Sequence, residues 1–155
     1  LILEEFAAGA RHHVLFVGAG DMQSLVEEAA ARSPFIHRMD PVPPDEVVSV
    51  VAGADMSLAL IEILSQSYAW GSPNKLFEAL AAGVPVLASD VPEVRRRLGS
   101  LAGDLVLTSP KDQLGAFLAR LDRPAALSYR KQLAPLPTWE EGIGPMVEAY
   151  QRLLA

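Results

Sequence analysis

The sequence predicts an α/β protein built on a doubly wound, Rossmann-like parallel sheet in three α/β/α layers. Three observations predict it. Short β-rich runs alternate with longer helical patterns along the whole chain, the signature of βαβ units and a parallel sheet. The β-rich runs are continuously apolar rather than alternating, as strands buried on both faces require. Proline and glycine stand where helices should start and stop, most clearly in SPNKLFEALAAG.

In order, LILEEFAAGA opens the chain with a helical pattern. HVLFV at His13–Val17 reads as a buried strand that ends in Gly18-Ala19-Gly20. QSLVEEAAAR at Gln23–Arg32 reads as a helix with Leu25 and Ala29 on one face. FIHRM at Phe35–Met39 is the second strand. Pro43–Ala52 opens with acidic residues in a first turn and continues as an apolar helix. DMSLALIEI at Asp55–Ile63 is a strand, followed by a loop over Leu64–Gly71. Pro73–Ala82 is a helix, Val84–Ala88 a strand, Pro92–Leu98 a helix and Asp104–Thr108 a strand. Lys111–Leu121 is a helix. The remainder is helical apart from Pro135-Leu136-Pro137, the one plausible linker, which sets off a last helix over Thr138–Leu154.

At 155 residues the chain fits one domain of ordinary size with a substantial core. Half of it is hydrophobic and 21% is charged, a globular and soluble balance. No apolar run reaches the roughly 18 residues that span a bilayer. A net charge of −6 argues against a nucleic-acid partner. Any anionic ligand must therefore be held by local geometry. Cysteine is absent, which excludes disulfides and thiolate metal sites and fits a reducing, cytoplasmic setting. A start at Leu1 inside a helical pattern leads us to expect a piece of a longer chain.

The stretch WGSPNKLFE raises the chemical question. Ser72 suits a helix cap, Pro73 a first helical position and Gly83 a helix end. Lys75 then falls in the first turn, where the helix dipole already presents partial positive charge; a cation there costs about 0.3–1 kcal/mol in an exposed helix. Helical spacing puts Asn74, Lys75 and Glu78 on one polar face, with Leu76, Phe77 and Leu80 holding the helix to the sheet. The loop before this helix follows a strand, so it lies at the edge where such sheets bind ligands. Free amides and a lysine suit a phosphate, and a carboxylate one turn deeper suits a pair of ribose hydroxyls. Against this stands an ordinary surface Lys75–Glu78 pair worth about 0.2–0.5 kcal/mol. The residues alone leave both readings open.

SPNKLFEALAAGVPVLASDVPE resembles the donor-site signature of glycosyltransferase group 1, retaining enzymes (family 4-like) with two facing Rossmann-like domains, the GT-B architecture. LFVGAGD resembles that group's strand and glycine loop. PVPPDEVVSVVAGADMSLAL resembles its "V-P-x-x-E-L, then A-D" segment, and LPTWEEGIGPMVEAYQRLL its terminal helix. The four stand in the family's order. The resemblance implies the C-terminal, nucleotide-sugar-binding half of a hexosyltransferase-type enzyme. In it Glu78 would bind the donor ribose. Asn74 and Lys75 would meet the diphosphate, with Ser72 and Gly71 beside them. Asp40, Pro41 and Val42 would lie along the base, and Gly18 and Gly20 would line the cleft floor. It also implies no metal, no cofactor beyond the substrate, and an acceptor held by an N-terminal domain of the same protein. Any peripheral membrane association would come only through that domain. This chain alone is expected to bind nucleotide weakly and transfer no sugar.

One position departs from the family pattern. The group often has two glutamates eight positions apart, the first touching the transferred sugar, and here that place is taken by Trp70. The other candidates deflate. Gly18-Ala19-Gly20 begins a dinucleotide fingerprint whose third glycine is replaced by Gln23, so a hydride-transfer domain is disfavoured. His12, His13 and His37 are read as structural, and Glu93 with Arg95–Arg97 as a solvated helix face rather than a phosphate clamp. Two rivals stay open: a nucleotide-sugar 2-epimerase-like domain that would use His37, and a non-catalytic nucleotide-binding domain in which Trp70 closes the pocket.

Overall fold

Parallel pairing cannot be made by hairpins, so each strand must be followed by a crossover before its partner. The computed structural model, which describes residues 1–7, 11–62 and 65–154, follows that rule throughout. Helix α1 (Ile2–Ala7) precedes β1 (Val14–Val17). Helix α2 (Gln23–Arg32) leads to β2 (Ile36–Met39), and α3 (Val47–Ala52) to β3 (Ser57–Ala59). Helices α4 (Gln66–Ala69) and α5 (Asn74–Ala81) lead to β4 (Val86–Ser89). Helix α6 (Pro92–Leu98), a 3-10 turn (Gly99–Leu101) and α7 (Ala102–Leu105) lead to β5 (Val106–Leu107). Helices α8 (Pro110–Arg120), α9 (Arg123–Gln132) and α10 (Trp139–Leu154) complete the chain.

The fold is α/β with parallel strands, as the sequence predicts, but the strands form two sheets rather than one. Strands β1 and β2 pair with Val14 opposite Ile36, and β3-β4-β5 form the second sheet in that order. Among the described residues no strand bridges β1 to β3. A groove of about 1240 Å3 opens there, lined by Phe16, Leu60, Leu107 and residues of α1 and α2. Two-face burial therefore holds only in part. All four residues of β4 are buried, whereas Leu15 and Val17 of β1 are 49% and 42% exposed.

The core gathers around β4. Leu76, Ala79 and Leu80 of α5 pack with Val86, Leu87 and Ala88, and from the other elements Val94, Leu105, Leu114 and Phe117 join them. Each such large side chain, fully buried, contributes about 1.5–3 kcal/mol. Helix α5 is stopped as expected. Gly83 sits at φ +63, its amide donates to the Leu80 carbonyl at 3.0 Å, and the Val84 amide reaches the Ala79 carbonyl at 2.8 Å. That pair of bonds is the Schellman closure, which wants a left-handed residue.

Several boundaries shift for local reasons. Helix α3 begins at Val47 rather than Pro43, since the Glu46 amide first closes a turn onto the Pro43 carbonyl at 2.9 Å. Strand β3 spans only Ser57–Ala59, because the hydroxyl of Ser89 takes over the main chain of Ile61 where the ladder would continue. The far end of the expected strand, Ile63, and the start of the expected loop, Leu64, lie outside the described residues. The rest of that loop holds α4. Residues 102–105 form α7, so the strand expected from Asp104 begins at Val106. Helix α2 buries Val26 rather than Leu25; Leu25 instead faces the groove. Residues 133–138 carry no helix or strand, and α10 starts with a reciprocal cap between Thr138 and Glu141.

Candidate functional site

Strand β3 stops at Ala59 and the chain turns away over Leu60–Glu62. At this turn the Ser89 hydroxyl, on a residue only 3% exposed, accepts the Ile61 amide at 2.9 Å and donates to the Ile61 carbonyl at 2.8 Å. Ile61 is thereby fixed as one wall of a cavity. From the α4–α5 connection Ser72 and Pro73 line the same cavity, after a tight turn. The Trp70 amide donates to the Gln66 carbonyl at 3.0 Å and the Gly71 amide to the Tyr68 carbonyl at 3.2 Å. A Cβ at Gly71 would stand 3.2 Å from the carbonyl oxygens of Ser67 and Tyr68, so the tight turn favours glycine.

Helix α5 starts one residue later than the sequence predicts. Pro73, with ψ 128, is the cap residue rather than the first helical residue, and no side chain caps the helix, Ser72 included. The Leu76 amide donates to the Pro73 carbonyl at 3.0 Å. The amides of Asn74 and Lys75 have no partner within the helix and are open to a ligand. The resulting cavity, about 450 Å3, is lined by Ala59, Ile61, Ser72, Pro73, Asn74, Lys75 and Glu78.

Four of the residues named from sequence thus come together: Ser72, Asn74, Lys75 and Glu78. The first three are exposed and Glu78 is half-buried, one turn deeper. On the opposite face Leu76 and Leu80 are buried. Phe77 is partly buried, and the guanidinium of Arg97 lies 5.2 Å from its ring centroid. Among the described residues no ion pair joins Lys75 to Glu78. The ordinary surface pair is therefore not formed, and both residues line the cavity.

The remaining named residues do not line it. Gly18 follows β1 at φ +132, and its amide donates to the Met39 carbonyl at 3.1 Å. The Gly20 carbonyl accepts the Gln23 amide at 3.0 Å. Asp40, past the end of β2, pairs with Arg38 at 2.8 Å, and Val42 is half-buried nearby in the chain. Gly71 contributes through its turn rather than as lining. Ser89 and Ile61 were missed by sequence reasoning. The signal was present: a lone hydroxyl closing the apolar run VPVLAS.

Elsewhere, several charged and histidine side chains have partners of their own. Arg95 pairs with Asp90 at 2.5 Å, and Glu93 accepts from Arg96 at 2.7 Å and from Arg97 at 2.8 Å. Hydrogen bonds from Arg96 and then Arg97 hold the Glu93 carboxyl down to about 2, and the Arg95 contact lowers Asp90. Each of these arginines is paired with a carboxylate, Arg96 and Arg97 sharing that of Glu93, consistent with a solvated face. His12 lies 3.0 Å from the Leu118 carbonyl, and His13 Nδ1 lies 2.8 Å from His37 Nε2 on an exposed face. His37 does not line the cavity at the tip of α5. Among the described residues no cluster of three or more metal-ligating side chains exists, and no helix is long and apolar enough to cross a membrane.

Compared with known families, the chain matches the one described as glycosyl transferases group 1, over residues 1–124. No curated protein matches the chain.

Proposed function

We propose, from the premise that this chain belongs to the group 1 glycosyl transferases, that the cavity at the tip of α5 binds the nucleoside diphosphate of a sugar donor. The observation that carries the reading is the lining itself. Two free amides and the Lys75 ammonium meet at one helix tip, and the Glu78 carboxylate stands a turn further along the same wall. A diphosphate is recognised by amides, dipole and cation together. A carboxylate, which only accepts hydrogen bonds when ionised, suits the ribose hydroxyls. In this reading the chain is the donor-binding, C-terminal half of a GT-B enzyme. Gly18, Gly20, Asp40 and Val42, at the carboxyl ends of β1 and β2, complete the cleft around phosphate and base. The acceptor is held by a facing N-terminal domain of the same protein.

Chemically, breaking the bond between the sugar and the diphosphate leaves additional negative charge on the diphosphate. Preorganised amides and Lys75 stabilise that charge where it develops, and such electrostatic stabilisation is the strongest help a site of this kind can give to bond breaking. With a net charge of −6, the chain offers no global attraction for the donor, so this local geometry must supply it. The reading needs no metal and no cofactor besides the donor. Calorimetric titration with uridine and guanosine diphosphates, beside a Glu78→Ala variant, tests it. Saturable binding of one of them that weakens without Glu78 is expected; no binding of either, or binding unchanged in the variant, removes the assignment.

A further inference from the structure

Among the described residues, β1 pairs with β2 alone, and Leu15 stands opposite His37. His13 comes just before β1. The Val14 amide donates to the Phe35 carbonyl at 2.8 Å, so the main chain at this point is locked to the start of β2. Residues two apart on a strand share a face. His13 and Leu15 therefore lie on one face with Phe35 and His37, and both histidines are exposed there. Arg38, the cation next in sequence, belongs by the same alternation to the opposite face, where it pairs with Glu27 of α2 at 3.4 Å.

The two imidazoles meet edge to edge. His13 Nδ1 lies 2.8 Å from His37 Nε2, while the ring centroids are 5.0 Å apart and the planes 25° from parallel. Phe35 packs against the His13 ring with 5.3 Å between centroids. A neutral imidazole has one ring N–H and one lone pair, so a hydrogen bond between the rings uses one of each. When the bonding proton moves to the other nitrogen of its own ring, both facing nitrogens present lone pairs and the net charge is unchanged. Two such nitrogens on one tetrahedral ion, each roughly 2.0–2.1 Å from it, stand about 3.3 Å apart with ring centroids about 5 Å apart. The centroids already have that separation. Binding asks for a tilt of the rings and no movement of the strands.

We propose that His13 and His37 form a two-imidazole site for a divalent transition metal ion of the zinc or nickel type, its other positions filled by water from the exposed face. Imidazole suits zinc, nickel and copper, whereas magnesium and calcium take oxygen ligands. The ion holds one ring from each side of the β1–β2 pair and so clips the two strands together. A pair of strands without a third is marginal by itself, so the clip adds stability where the sheet has least. The site is separate from the cavity at the tip of α5, which neither histidine lines.

The test uses the chain without a histidine tag. Zn2+ and Ni2+ are titrated by calorimetry into the parent, His13→Ala and His37→Ala, with Mg2+ as the hard-cation comparison. One equivalent of Zn2+ or Ni2+ is expected on the parent, with affinity falling at least tenfold in either variant, and no binding of Mg2+. The urea midpoint of the parent should rise with Zn2+, because the ion binds the folded pair, and that of either variant should not. If a variant fails to fold by circular dichroism, the parent alone decides. On adding Zn2+ its His13 and His37 side-chain resonances should shift together, while those of His12, whose Nε2 lies 3.0 Å from the Leu118 carbonyl, stay in place. No saturable binding of Zn2+ or Ni2+ by the parent, affinity unchanged in either variant, equal binding of Mg2+, or a shift at only one of the two rings overturns the site.

Discussion

The hydroxyl of Ser89 closes a two-way clasp on Ile61, accepting its amide at 2.9 Å and donating to its carbonyl at 2.8 Å. The clasp replaces the next rung of the β3–β4 ladder and fixes Ile61, which lines the same cavity as Lys75. Ser89→Ala leaves an amide and a carbonyl of Ile61 without that partner, which should cost about 1–3 kcal/mol. In urea the unfolding midpoint should fall with an unchanged slope. The same variant should weaken nucleoside-diphosphate binding, since Ile61 is free to drift.

Lys75 offers a test in which stability and binding move in opposite directions. A cation at the positive end of α5 opposes the helix dipole. Lys75→Ala should therefore leave the free chain as stable or slightly more stable, by up to about 1 kcal/mol, read as an equal or higher midpoint in urea. Binding of nucleoside diphosphate should fall about tenfold or more with loss of a charge-assisted contact, and its salt dependence should shrink. A residue present only for structure would not show this split.

Glu93 predicts an acid limb. Its carboxyl lies near 2 in the folded chain, against an ordinary 4.5, chiefly through Arg96 and next through Arg97. The folded state then binds fewer protons than the unfolded state between those values. Stability from this contact is fully present above about 4.5 and is lost as pH falls toward about 2. Asp90, lowered by Arg95, adds to the same limb. Urea midpoints measured across that range should decline, and Glu93→Gln should lower the midpoint at neutral pH and flatten the decline.

Gly83 isolates a backbone effect. No atom stands within 4 Å of a Cβ placed there, so crowding contributes nothing, while φ +63 is unfavourable for any side chain. Gly83→Ala should cost about 1–2 kcal/mol. Gly83→Asn, which tolerates that region better, should cost less, and thermal melts of the two variants give the order.

What the sequence made legible follows from the range of the forces involved. The α5 unit was readable because Pro73, the apolar positions Leu76 and Leu80, and Gly83 act within one helix. Even so, Pro73 proved to be the cap, its ψ of 128 lying in the extended region rather than the helical one. Strand β3 was drawn too long because its apolar run continues past Ala59, and what ends it is a hydroxyl 28 residues away in sequence. The splitting of the sheet could not be read from any run, because it depends on which strand edges meet. In the site, the residues of one helix face came together as helical spacing requires. Gly18, Gly20, Asp40 and Val42 sit on other elements and do not line that cavity, which depends on tertiary distances that spacing does not encode.

The contact between Glu78 and the donor ribose is the central claim, and a thermodynamic cycle reaches it directly. Calorimetry compares a ribonucleoside diphosphate with its 2′-deoxy counterpart on the parent chain and on Glu78→Ala. We expect the parent to prefer the ribose form by about tenfold, the worth of one charge-assisted hydrogen bond, and the variant to bind both forms alike. A preference for ribose that survives intact in Glu78→Ala would contradict the account.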